Sequence, residues 1–217
     1  MSNFSCDVFS SFNIVPTTIF DVGAHDPFDL PKIIHSTYRD CMIFQFEASP
    51  TVFNMYYNKE YSNIKAFNFA ISSIDNKFVQ FYESDRLNVN ENGDGGWVHT
   101  YSGSILEPIR KRQFASYKLT FKDAPISVLS RTIFSFCLEH GIGNIDLLHV
   151  DVQGAETEVI AGLGEIRPSL IFAEVCEFDK YESKTNRENF INFLHNFGYE
   201  IASDLGSDIL FHYRSNK

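Results

Sequence analysis

The chain has 217 residues, a formal net charge of −10 and 44% hydrophobic residues. That length suits one large folded unit with a substantial buried core. The acidic balance disfavours sequence-independent binding to nucleic acid or to anionic membranes. The densest basic cluster, Arg110-Lys111-Arg112, reads as a solvated face. The 22 Phe and 10 Tyr predict an aromatic-rich core. Cys6, Cys41, Cys137 and Cys176 form no C-x-x-C pair, which argues against a zinc ribbon or a redox dithiol and for free thiols in a reducing compartment. Residues 1–12 lack the basic and apolar segments of a signal peptide, and no apolar run is long enough to span a bilayer. A soluble, cytoplasmic protein is expected.

In chain order, a β-branched and aromatic run at 18–22 reads as a buried strand, and 28–38 as a helix with Leu30, Ile33, Ile34 and Tyr38 at helical spacing. Residues 42–47 form a second buried strand. Ser49-Pro50 then opens a helix toward residue 59, because Ser is a good N-cap and Pro suits the first helical position. Strands follow at 64–70 and 78–82. Residues 84–104 hold Gly93, Gly95, Gly96 and Gly103 with Asn88, Asn90 and Asn92, a composition too polar for the core and long for a simple connection. This segment is expected to be a lid loop, with Trp97 as its aromatic anchor. It resembles the opening of a calcium loop only superficially, since the twelfth position from Asn88 is His99 and not Glu.

A helix over 130–140 is expected to stop at Gly141, followed by a strand at 145–150, a short helix at 155–161 and a strand at 170–175. A helix at 187–197 and strands at 199–203 and 208–213 complete the chain. Strands alternating with helices predict an α/β fold with a mostly parallel sheet, ended here by an antiparallel hairpin. One domain over 1–217 is expected.

Ligands of open α/β sheets sit beyond the carboxyl ends of the strands. Four expected strands carry an acid there: Asp21, Glu47, Asp151 and Glu174. In Phe20-Asp21-Val22-Gly23-Ala24-His25-Asp26, Gly23 would let the backbone approach a ligand closely, although an ordinary strand-to-helix turn reads the same way. Glu47 is placed to accept hydrogen bonds from both hydroxyls of a ribose. A nicotinamide enzyme would share that acid but would show G-x-G-x-x-G after the first strand, where Gly23 stands alone. A nucleoside cofactor without a pyrophosphate fits better, and S-adenosyl-L-methionine is the obvious one.

The chain resembles the FkbM-type S-adenosylmethionine-dependent methyltransferases. The resemblance rests on Phe20-Asp21-Val22-Gly23-Ala24-His25, Phe46-Glu47-Ala48-Ser49-Pro50, Asn68-Phe69-Ala70-Ile71-Ser72, Ser102-Gly103-Ser104-Ile105-Leu106 and the block from Ile145 through Asp151-Val152-Gln153-Gly154-Ala155-Glu156. It implies a class I methyltransferase fold, a Rossmann-like three-layer sandwich around a seven-stranded sheet, and methyl transfer to a hydroxyl oxygen of a sugar, glycan or natural product. Carried over to this sequence, Asp21, Gly23, Ala24 and His25 would shape the cofactor turn, and Glu47 would hold the ribose with Ser49 beside it. Ala70 and Ile71 would lie near the adenine, Ser104 near the cofactor, and Asp151 would face the methionine end and the acceptor. Gln153 stands where the family more often has Glu, His149 where it often has Lys, and His25 where Asn is commoner.

Methyl transfer to oxygen needs alignment of the acceptor and removal of its proton. Asp151 and His99 are the candidate bases, with His149 behind them. Asp151, Glu156 and Glu174 also form a candidate set for a hard divalent cation such as magnesium, although Glu156 at a helix start has a sufficient structural role. A binding module that has lost catalysis is the alternative reading.

Overall fold

The computed structural model describes residues 4–25, 29–57, 61–84, 86–88, 97–99, 102–108, 121–175 and 186–214, with only the backbone of 86–88 and 97–99. Asp26, Cys176, the Arg110-Lys111-Arg112 cluster and most of the Gly- and Asn-rich segment lie outside these residues.

The chain begins with α1 (Asp7–Ser11), β1 (Thr18–Val22), α2 (Asp29–His35), β2 (Met42–Phe46), α3 (Pro50–Tyr56) and β3 (Ile64–Phe67). Next come β4 (Ala70–Ile71), β5 (Lys77–Phe81), β6 (Arg86–Asn88), β7 (Trp97–His99) and β8 (Ile126–Arg131). The remainder is α4 (Ile133–His140), β9 (Leu147–Val150), α5 (Glu156–Ala161), β10 (Leu170–Glu174), α6 (Arg187–Asn196), β11 (Tyr199–Asp204) and β12 (Asp208–Tyr213).

The main sheet has seven strands in the order β11-β12-β10-β9-β1-β2-β3. From β3 across to β10 neighbouring strands run parallel, and β12 is antiparallel to both β10 and β11. The order reverses direction between β1 and β9, which makes their carboxyl ends the topological switch point where such sheets bind ligands.

Alternation along the strands builds two cores. Phe20, Val22, Phe44, Phe46, Leu148 and Val150 point to one face, where they pack with Ile133 and Phe136 of α4, Val159 and Ile160 of α5, and Phe190 and Leu194 of α6. Ile19, Ile43, Leu147 and Leu170 point to the other, against Phe9 of α1 and Leu30 and Ile34 of α2. Helices on both faces of the sheet are the expected three-layer sandwich. The aromatic core centres on Phe136, whose ring meets Phe46 and Phe67 edge-on at centroid distances of 4.9 Å. Cys41 and Cys137 are buried free thiols, whereas Cys6 is only half-buried.

Local chemistry sets the element ends. Ser49 Oγ accepts the Val52 N–H at the start of α3, with Pro50 in the first turn. Thr132 Oγ1 accepts the Ser135 N–H, and Gly141 in the left-handed conformation ends α4. Thr132→Ala, which removes that cap, should lower the unfolding free energy by about 1 kcal/mol in a urea titration.

Two expectations are corrected. The strand expected at 64–70 ends at Phe67, because the Asn68 amide turns to the carbonyls of Glu47 (2.8 Å) and Ala48 (3.3 Å). Ala70 and Ile71 then leave the main sheet for a three-stranded sheet ordered β4-β8-β5. The helix expected from residue 130 starts at Ile133, since Thr132 caps it and Ser130 and Arg131 belong to β8. Within the expected lid, β6 and β7 pair as an antiparallel ribbon with Arg86 opposite His99 and Asn88 opposite Trp97.

Candidate active site

One cleft runs along the carboxyl ends of β9, β1 and β2 and under the three-stranded sheet. It encloses about 820 Å³, its open mouth included. Gly23, His25, Asp151, Gln153 and Ala155 line one end, Glu47 and Ser49 the middle, and Phe69, Ala70, Ile71, Phe81 and Glu83 the other, with Ser104 on the wall.

The turn after β1 is held by N–H bonds from Gly23 (2.9 Å) and Ala24 (3.3 Å) to the carbonyl of Phe46. Gly23 has φ +80°, and a Cβ there would lie 1.9 Å from the Asp151 carbonyl oxygen. The ends of β1 and β9 thus approach so closely that only glycine fits. Ala24 is buried behind the turn and is not part of the cleft wall.

Glu47 follows β2 directly, and one carboxylate oxygen accepts the Ser49 N–H at 2.7 Å while the other accepts the His25 N–H at 3.2 Å. Burial pushes its pKa up to about 7, against the opposite pull of these two bonds. The side chain is therefore oriented by its own loop and by the turn after β1, and keeps acceptor capacity for a ligand.

Asp21 lies beneath the cleft and not in its wall. It is 1% exposed, and its two oxygens face Gln45 Nε2 at 3.0 Å and His149 Nδ1 at 2.7 Å. Strand register explains the row, since Asp21 pairs with Gln45 on β2 and with His149 on β9. Burial opposes a charge on His149, and the carboxylates of Asp21 and Asp151 outweigh it, raising the imidazole pKa. His149 supports the floor as the buried partner of Asp21 and does not reach the cleft surface.

Asp151 emerges just after β9. Gln153, held at φ +54°, donates its amide to Asp151 Oδ1 and to Glu174 Oε2, both at 2.7 Å. Burial, then the neighbouring Glu174 carboxylate, raises the Asp151 pKa well above the ordinary carboxylate range. Glu156 instead folds back to accept the Gly154 N–H at 2.9 Å at the start of α5. The expected magnesium set of Asp151, Glu156 and Glu174 is not assembled: among the described residues no group of three His, Cys, Asp or Glu gathers for a metal. The Gln153 amide bonds to both Asp151 and Glu174, and the Glu156 carboxylate is turned to the Gly154 N–H. These residues do not fit the ion.

Ser104 Oγ donates to the Val152 carbonyl at 3.3 Å, while the backbone of Ser104 pairs with Tyr82. Ala70 and Ile71 line the cleft from β4. His99 is placed only by its backbone, on β7. Sequence reasoning missed Glu83 and Lys122, which form a salt bridge in the cleft wall. They lie 39 residues apart and share no local motif.

A parallel sheet with this strand order and an antiparallel strand inserted beside its last parallel one defines the class I methyltransferase fold. The chain belongs to the FkbM methyltransferase family, whose domain model, "Methyltransferase FkbM domain", matches residues 21–201. It is 31% identical over 189 residues to the 2-O-methyltransferase NoeI of Sinorhizobium fredii, a match that spans 82% of this chain and 71% of the relative. A crystal structure of methyltransferase FkbM from Methylobacillus flagellatus KT aligns over 91% of this chain with a TM-score of 0.47 and 13% identity, and the matched part is 44% of that chain. Among the described residues no helix is long and apolar enough to cross a membrane.

Proposed function

We propose that the chain is a single-domain, S-adenosylmethionine-dependent O-methyltransferase whose acceptor is a hydroxyl of a sugar or glycan. The observation that carries the cofactor is Glu47, a buried acid whose carboxylate is aimed by two backbone N–H groups at the middle of a cleft with one apolar and one polar end. An acceptor-only carboxylate suits vicinal ribose hydroxyls, the apolar end suits a base, and the polar end suits an amino-acid chain. The 2-O-methyltransferase name of the relative NoeI supports oxygen as the acceptor atom.

Bound S-adenosylmethionine would supply an electrophilic methyl on a sulfonium. Glu47 and Ser49 would hold the ribose side, Ala70 and Ile71 the base, and Gly23, His25 and Ser104 the turn and wall around it. Asp151 would accept the proton of the acceptor hydroxyl, since its raised pKa suits a base working near neutrality. Gln153 keeps its carboxylate pointed, and His99 on β7 is the second candidate base. The ribbon of β6 and β7 belongs to the segment we assign as a lid.

Glu47→Ala should weaken S-adenosylmethionine binding about 100-fold by calorimetry, the loss of charged hydrogen bonds to both hydroxyls. In the wild type, ribose O–H groups donate to the ionised carboxylate, so affinity should rise as pH increases through about 7. An unchanged affinity in folded Glu47→Ala would remove the ribose assignment. Tight cofactor binding with no methyl transfer across a broad panel of hydroxyl acceptors would identify a binding module instead.

A further inference from the structure

The apolar end of the cleft contains an ion pair between a buried carboxylate, Glu83, and the partly exposed Lys122. Glu83 follows the end of β5 and is 6% exposed, and its two carboxylate oxygens face Ser49 Oγ and Lys122 Nζ. Burial resists its charge, and Lys122, Ser49 and Thr51 more than offset that, holding the carboxyl below its ordinary range. Phe69, Ala70, Ile71, Phe81 and Ile105 supply apolar surface around this pair.

Neighbouring strands lie about 4.8 Å apart. With a ribose at Glu47 after β2, the polar groups after β1 and β9 are one or two strands away on one side, and the apolar wall with Glu83 lies on the other. A purine base extending from that ribose into the apolar end would turn an edge toward Glu83. Each carboxylate oxygen can accept two hydrogen bonds, so the bonds from Ser49, Lys122 and Thr51 still leave acceptor capacity, and an ionised carboxylate offers no donor. It therefore suits an exocyclic amine and rejects an oxo group, which would set lone pairs against lone pairs.

We propose that Glu83, charged by Lys122 and positioned by Ser49, is the residue that selects a 6-aminopurine over a 6-oxopurine in the cofactor. The assignment rests on the cofactor reading above. Ser49 links the two ends of this recognition, with its N–H on Glu47 and its hydroxyl on Glu83. Sugar and base would then be read by adjacent atoms of one residue.

The test compares S-adenosylhomocysteine with S-inosylhomocysteine, its 6-oxo analogue, by calorimetry on the full chain. The wild type should prefer the amino ligand by about 10- to 100-fold, the effect of one hydrogen bond to a charged acceptor. In Glu83→Gln, whose amide can offer either an acceptor or a donor, the preference should fall to within about threefold. Lys122→Met removes the cation that keeps this buried carboxyl ionised, so the preference should weaken near neutral pH and recover as pH rises. A wild type that binds both ligands equally, or a preference that survives in Glu83→Gln, overturns the assignment and leaves the cofactor reading standing. A wild type that binds neither ligand overturns the cofactor reading and the assignment with it.

Discussion

Asp151→Asn should bind S-adenosylmethionine with near wild-type affinity and lose about two to four powers of ten in turnover, the usual contribution of a general base. The substitution is nearly isosteric, and the new amide oxygen can still accept from Gln153. What it removes is the proton acceptor at the polar end of the cleft. The fold should not suffer. The folded chain raises the Asp151 pKa through burial and the Glu174 carboxylate, so Asp151 holds its proton more tightly in the folded than in the unfolded state. Stability then falls as pH rises between those two pKa values, and Asn, which never ionises, escapes that penalty. Turnover assays paired with thermal melts separate the roles: lost turnover with an equal or higher melting temperature supports the base, and undiminished turnover removes it.

Gly23→Ala should cost about 3–5 kcal/mol of unfolding free energy, read as a lower urea midpoint. The left-handed conformation at φ +80° strains any residue with a Cβ by about 1–2 kcal/mol. The larger part comes from the added carbon, which would lie 1.9 Å from the Asp151 carbonyl oxygen and 2.8 Å from its carbon. Backbone atoms cannot swing aside as a side chain does, so the turn after β1 or the end of β9 must move. Both line the cleft, so cofactor affinity should fall in the same variant. A variant with wild-type midpoint and affinity would show that the two strand ends do not meet this tightly.

The central sheet was legible because its parallel strands are buried on both faces and read as continuous apolar runs, as in Thr18–Val22 and Leu170–Glu174. The second sheet was legible only in part: β5 matches the strand expected at 78–82, whereas β4 is two residues long and was read as the end of the strand expected at 64–70. β8 was obscured because Ser130 is a buried polar residue, its hydroxyl 2.7 Å from that of Ser72, and it stands just before a helix cap. In the site, Glu47 was readable from its position after a strand. Asp21 carried the same signature and proved to serve the floor, because strand order sets Gln45 and His149 on either side of it. Burial by cross-strand neighbours leaves no trace in the local sequence.

The two hydroxyls that cross the cleft have a thermodynamic consequence. Ser104 ties the flank of the small sheet to the backbone after β9, and Ser49 ties the loop after β2 to Glu83 at the end of β5. The walls are therefore joined near both ends before any ligand arrives. A donor entering such a seat need not order the protein around itself, and the conformational entropy that a looser cleft would lose on binding has already been given up in folding.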